Sequence, residues 1–334
     1  MFQKQFSSRT TAALCCLLSG SVLAFFPFAS ARADPYPDKP IRLIIPYPPG
    51  GATDVIGRIV GKNLSEQIGG QVVIENRGGA GGNIGAADVA KARPDGYTLL
   101  MGALTSHSVM SILEKGSLNY DLQKDLTPAG IVGSVPLVAV VNPSLKVSTL
   151  KELADNASKH PGKLNFASSG AGAPQRMAME LFKQIAGVNI VHVAYRGSGP
   201  AMTDLVGGQV QVMTETVPAA ISFIKSGQLR PLAVLTPERI SMLPDIPTAK
   251  EQGYDNYNVS SLFGVMAPTG TPQDVLDKLN AALTEGLNKD DVKKQLLEQG
   301  VYAAPLSIDA SRDRLAAEIA LWDKVIKAGN ITTR

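Results

Sequence analysis

Hydrophobic positions recur along this chain in two ways: as short β-branched runs, and as longer segments in which apolar residues return at a helical period. Ile41-Arg42-Leu43-Ile44-Ile45 reads as a strand stopped by Pro46, and Ile56, Ile59, Val60 and Leu64 then mark a helix. The order repeats. Val72 to Glu75 predicts a strand before Gly78 to Gly85 and a helix over Ala86 to Ala92, and Tyr97 to Met101 predicts the next strand. Val135 to Val141, Leu164 to Ala167, Ile190 to Val193, Gln209 to Met213, Leu232 to Leu235 and Phe263 to Ala267 are further strands. Helices are predicted over Thr149 to His160, Gln175 to Ala186, Gly199 to Val206, Pro272 to Leu287, Asp290 to Gln299 and Ile308 to Ala328. Such alternation implies an α/β chain whose parallel-rich sheets are covered on both faces.

The amino terminus breaks this pattern. Lys4 and Arg9 precede an almost wholly apolar stretch from Ala12 to Phe28, and Ala31-Arg32-Ala33 places small residues where a signal peptidase reads. Residues 1–33 are therefore expected to be a signal peptide cleaved after Ala33, which leaves 301 of the 334 residues. Lys4, Arg9 and Arg32 leave with it, so 32 Lys+Arg against 29 Asp+Glu becomes 29 against 29. A balanced surface offers no basic footprint for nucleic acid. Both cysteines, Cys15 and Cys16, also lie in the leader, which removes disulfides, thiolate catalysis and cysteine metal sites from the mature chain.

Three loops joining a strand end to a helix start carry almost no side-chain bulk: Pro46 to Asp54, Gly78 to Gly85, and Ser168 to Gln175. Glycine lets a ligand approach the backbone, and the free N–H groups of the following helix attract an anion. Open α/β sheets bind ligands at this edge. The middle loop misses the Gly-x-Gly-x-x-Gly spacing and no Gly-x-x-x-x-Gly-Lys-Ser/Thr occurs, so no nucleotide cofactor is expected and the loop reads as a turn packed near the first. The outer two loops contain no Lys or Arg; their backbone amides and the hydroxyls of Tyr47, Ser168 and Ser169 suit a carboxylate. Asp54 either complements the dipole of its helix or holds a ligand-bound water.

Catalytic groupings are sparse. His107, His160 and His192 are the only histidines and none has a second His three or four residues away, so no metal site is expected. His107 follows Thr105-Ser106 in a predicted strand-to-helix turn and is either a ligand donor or a polar turn residue, whereas His192 reads as a satisfied core histidine. Gly-x-Ser-x-Gly is absent.

Pro46-Tyr47-Pro48-Pro49-Gly50-Gly51-Ala52-Thr53-Asp54, Glu75-Asn76-Arg77, Gly79 to Gly85, Pro94 to Leu99 and Tyr195-Arg196-Gly197-Ser198-Gly199-Pro200-Ala201 together resemble the Bug-type extracytoplasmic solute receptors of tripartite tricarboxylate transporters. Leu243 to Thr248, Phe263-Gly264 and Ala267-Pro268 extend the match, which runs in family order from about Lys39 to Ile331. The resemblance implies a two-lobed periplasmic binding protein of the Venus-flytrap kind (type II): 34–136 plus 263–334 as lobe 1 and 137–262 as lobe 2, with Val135 to Val141 and Phe263 to Ala267 as crossing strands. It also implies two loops gripping a carboxylate like pincers, Tyr47 to Asp54 and Ser168 to Gln175. The candidate contacts are Tyr47, Pro48, Gly50, Gly51, Ala52, Thr53 and Asp54 from the first pincer, and Ser168, Ser169, Gly170, Gly172, Ala173 and Gln175 from the second. Ser106, His107, Arg196 and Glu215 join them as candidates.

This chain departs from the family at several positions. Ala173 stands where Ser or Thr is usual, Arg176 where His is frequent, Thr214-Glu215-Thr216 where Phe-Asp-Asn is common, and Leu262 where an aromatic is frequent. Arg176 is thus expected to add positive charge near the site. The resulting expectation is a monomeric, periplasmic, non-enzymatic receptor that delivers a small carboxylate to the membrane subunits of a secondary transporter. Two alternatives stay open: a periplasmic α/β enzyme using His107 and Glu215 as acid and base, and a sensor that presents its bound state to a signalling partner.

Overall fold

The computed structural model describes residues 36–333. The expected signal peptide, with Cys15 and Cys16, lies outside the described residues. In the first half of the chain the elements are β1 (Ile41–Ile45), α1 (Ala52–Ile68), β2 (Val72–Asn76), α2 (Asn83–Ala90), β3 (Thr98–Ala103), α3 (Leu104–Leu113), β4 (Leu126–Val141), α4 (Leu150–Lys159) and β5 (Asn165–Ser168). They continue as α5 (Pro174–Ala186), β6 (Val191–Ala194), α6 (Ser198–Val206), β7 (Val212–Thr216), α7 (Val217–Lys225), β8 (Arg230–Val234), β9 (Ser260–Pro268), α8 (Gln273–Asn288), α9 (Asp290–Glu298), β10 (Tyr302–Ala303) and α10 (Ile308–Ala328).

The strands lie in the order β2-β1-β3-β9-β4-β7-β5-β6, with β8 and β10 also paired to β4. The fold is α/β and two-lobed, but the sheet is mixed. Parallel pairing is confined to β2-β1-β3 at one end and β7-β5-β6 at the other, where helices connect successive strands. The centre is antiparallel because β9 and β4 arrive by long excursions. One strand joins the two halves. From Leu126 to Pro136 β4 pairs with β9, and from Leu137 to Val141 it pairs with β7.

The expected strand at 135–141 is only the second half of β4. Its first half, Leu126–Ser134, carries Pro128, Gly130 and Gly133, and its register slips twice against β9, so neither alternation nor propensity marks it. The segment around His107 is not a turn: α3 follows β3 without a loop, and its Ser- and Thr-rich sequence is held helical by packing on α10 and β9.

Each half has its own core. Ile41, Leu43 and Ile45 pack with Ile56, Val60 and Leu64 of α1 and with Leu279 and Leu283 of α8, whereas Leu137, Phe166, Phe182 and Tyr257 form another core. Trp322, Val325 and Ile326 at the end of α10 join this second core, whereas the family resemblance implies that all of 263–334 belongs to the first lobe. No helix among the described residues is long and apolar enough to cross a membrane.

Candidate functional site

The loops that follow β1 and β5 both open onto one cavity of about 550 Å³. Ala52 and Thr53 begin α1, and Pro174 and Gln175 begin α5; all four line it, so two helix amino termini face the same space. Their unpaired N–H groups and positive dipole ends make both loops anion-seeking.

The first loop is tied from behind. Asp54 Oδ2 accepts from the Gly50 amide at 2.9 Å and Arg58 Nε at 3.0 Å, while Oδ1 accepts from Asn76 Nδ2 at 2.8 Å. Asn76 Nδ2 also donates to the Tyr47 carbonyl at 3.1 Å. The Arg58 guanidinium, with these amide donors, holds the Asp54 carboxyl down at about 2. Both oxygens of Asp54 are spent on the loop, and the residue does not line the cavity. Tyr47 does line it, and its hydroxyl donates to the Gly81 carbonyl at 3.2 Å, which draws the middle glycine loop alongside the first. Burial pushes that hydroxyl up to about 12, so it stays protonated.

Ser168 is turned away. Its hydroxyl lies 2.7 Å from His192 Nε2, and the imidazole stacks on Phe166 with ring centroids 4.8 Å apart. His192 is satisfied as expected, although it sits half-buried on the edge strand β6 and not in the core. Arg176 is also directed away: Nη1 donates to the carbonyls of Thr332 at 2.7 Å and Ala171 at 3.4 Å, so its charge braces the second loop against the carboxyl terminus. The expected positive charge near the site is absent from the cavity lining.

Of the candidate contacts, Tyr47, Ala52, Thr53, Ser106, Ser169, Gly170, Gly172, Ala173 and Gln175 line the cavity together. Pro48, Gly50 and Gly51 lie on the exposed outer side of the first loop, and Arg196 is exposed outside the lining. His107 is fully buried behind Tyr47, with ring centroids 6.4 Å apart, and packs against the positive-φ Gly82. Burial pushes its pKa down to about 4, leaving it neutral at pH 7. Glu215 is buried one side chain behind the wall: Oε1 accepts from Gln175 Nε2 at 2.8 Å and from the Thr216 amide at 2.7 Å.

Sequence reasoning missed the remaining walls. Met110 and Glu114 come from α3 or its end, Ala80 and Gly81 from the middle loop, and Val135, Ser261 and Phe263 from the central strands. Thr216, Pro218 and Gln299 complete the far side. The usable signal was the segment Leu104–Leu113, where helical spacing puts Ser106, Met110 and Leu113 on one face.

His107 has only Tyr120 OH near Nδ1, at 3.5 Å, and no contact joins it to Glu215. The Ser168–His192 pair has its hydroxyl fully buried and its imidazole held down at about 4, first by burial and then by Arg176 and Lys183, which makes a weak base for a nucleophile. Among the described residues no group of three or more His, Asp or Glu is placed to hold a metal ion.

Two helix termini converging on a cleft between halves that share a central strand define a solute-binding protein of the periplasmic type. The sequence model of the tripartite tricarboxylate transporter family receptor matches residues 56–331. The chain is 39% identical over 299 residues to Protein BugT of Bordetella pertussis, covering 90% of this chain and 92% of that one. A solved "periplasmic transporter" superposes with a TM-score of 0.77 at 36% identity, over 90% of this chain and 100% of the other. R. palustris Rpa4515 with adipate superposes at 0.76 with 35% identity, over 89% and 99%. This chain belongs to the Bug-type family of tripartite tricarboxylate transporter receptors, which are periplasmic binding proteins.

Proposed function

We propose that this protein captures a small carboxylate in the cavity between its two loops, without altering it chemically, and delivers it to the membrane subunits of a tripartite tricarboxylate-type transporter. The observation that carries this reading is the convergence of the first turns of α1 and α5 on one cavity whose lining has donors but no cation. The relative solved with adipate supports a carboxylate as the chemical class.

Magnitudes favour the use of both loops. Micromolar binding needs about 8 kcal/mol. A helix end contributes roughly 0.3–1 kcal/mol, up to about 2 when partly buried, whereas hydrogen bonds to a charged group contribute about 1.5–3 kcal/mol each. Three to five such bonds are needed on this arithmetic, and the reading divides them between the two helix ends. In this reading 34–136 with 263–321 forms one lobe, 137–262 with the end of α10 forms the other, and closure about β4 brings the pincers together. The protein acts as a monomer after the leader is removed behind Ala33. A second copy, a cofactor or a nucleic acid has no part in it.

Native mass spectrometry of freshly purified periplasmic protein tests the reading. A small organic acid retained on a chain beginning at Asp34, and recovered intact after incubation, is the expected result. A retained species without a carboxylate, or turnover proportional to protein concentration, overturns it.

A further inference from the structure

We propose that the cavity selects a monocarboxylate whose other end carries a hydrogen-bond donor, an ammonium group foremost, and turns away a second carboxylate. This rests on the reading that the two loops grip a carboxylate, and it specifies what the rest of the ligand must be. Among the described residues the lining contains no Lys, Arg or His, and its one charged side chain is Glu114. Glu114 accepts only a long hydrogen bond, 3.3 Å from Asn83 Nδ2, and no basic group among the described residues pairs with it.

A second acid stands behind the wall. Glu215 is 1% exposed, and its Oε1 takes all the donors the protein offers: Gln175 Nε2 and both the amide and the hydroxyl of Thr216. Its Oε2 has no partner. Gln175 and Thr216 both line the cavity, so this carboxylate is separated from a ligand by one side chain. Arg176, next to Gln175 on α5, is directed instead to the Thr332 and Ala171 carbonyls. A buried carboxylate with neither cation nor full complement of donors is unfavourable unless something else supplies them.

A ligand held by its carboxylate at the loops and carrying an ammonium group brings the missing positive charge into the cavity that Glu114 lines and Glu215 backs, where it acts on Glu215 through the field and not by direct contact. A dicarboxylate instead brings a second negative charge toward Glu114 and Glu215, and like charges repel. The selectivity therefore comes from acids in and behind the wall, while the grip comes from backbone amides of the loops.

Titration calorimetry at pH 7 on ligand-stripped protein, using three five-carbon acids of equal length, separates these terms. We expect 5-aminopentanoate to bind at least about tenfold tighter than glutarate, with pentanoate between them. Glu215→Gln and Glu114→Gln should each narrow that gap several-fold; Glu114 is only half-buried, so its variant remains informative if the buried change unfolds the protein. Glutarate binding as tightly as 5-aminopentanoate, or a gap unchanged in the folded variants, overturns the selectivity and leaves the grip standing. Failure of all three acids to bind at millimolar concentration tells against the carboxylate grip itself, and the selectivity falls with it.

Discussion

The loop after β5 passes so close to α3 that a single methyl group tests whether binding needs the two in contact. A Cβ added at Gly172 would lie 2.5 Å from Met110 Sδ and 2.6 Å from its Cγ. Unstrained contacts of this kind sit near 3.5–4.0 Å, so loop and helix must separate by about 1 Å or Met110 must leave its place. Overpacking of this sort costs about 1–3 kcal/mol. The contact joins the loop after β5 to the helix after β3, across the cavity and not within either core, so the penalty falls on closure. Gly172→Ala should therefore weaken 5-aminopentanoate binding by about tenfold or more while leaving the circular dichroism spectrum unchanged. Met110→Ala removes both clashing atoms. In that background Gly172→Ala should change affinity by less than about twofold, and calorimetry on all four combinations gives the coupling. If Gly172→Ala lowers affinity by the same factor with and without the Met110 side chain, the loop does not close against α3 and the reasoning is wrong.

Two further predictions concern stability. His107 is buried and neutral with its pKa near 4, below the ordinary 6.5, so the unfolded chain binds its proton more readily. Stability from this group is complete above about pH 6.5 and is lost as pH falls toward 4, by about 2 kcal/mol between pH 7.5 and 5; His192, also held near 4, adds a drop of similar size, so urea unfolding should show both and His107→Gln should remove about half. Glu318 is 3% exposed and accepts from Thr105 Oγ1 at 2.7 Å, Trp322 Nε1 at 2.9 Å and Arg314 Nη1 at 2.8 Å. Glu318→Ala strands the buried Trp322 Nε1, leaves Thr105 Oγ1 only its longer bond of 3.3 Å to the Ser260 carbonyl and frees the part-exposed Arg314 to water, and should cost about 2 kcal/mol, seen as a lower urea midpoint with an unchanged slope.

Where local pattern and tertiary structure agree, the fold was readable from the residues. Ile41–Ile45 and Ile308–Ala328 fall where β-branched density and helical period place them, because each buries one face on a regular neighbour. The mixed centre of the sheet was not readable: Pro128, Gly130 and Gly133 make a strand only because β9 lies beside them. The same holds at the site. Glycine-rich strand-to-helix loops announced both loops that border the cavity, since no other residue type permits such a close backbone approach. Side-chain direction was not announced, so Asp54 and Ser168 turned out to brace the loops from behind and Arg196 to lie outside the lining. Met110 and Glu114 were hidden because α3 owes its helix to packing on α10, and its Ser- and Thr-rich sequence argues for a turn.

The account stands most directly on both helix termini gripping one carboxylate, and charge placed at each terminus tests that. Ala52 is the first residue of α1 and lines the cavity, and Ser169 lines it from the second loop. An acid at the start of a helix complements its dipole, so Ala52→Asp should fold well, as should Ser169→Asp in its partly exposed loop. Calorimetry with 5-aminopentanoate, against Lys225→Ala at the exposed end of α7 as control, is the deciding measurement. The grip predicts that each Asp variant loses binding by at least about a hundredfold while the Lys225 variant matches wild type. Wild-type affinity in either folded Asp variant would contradict it.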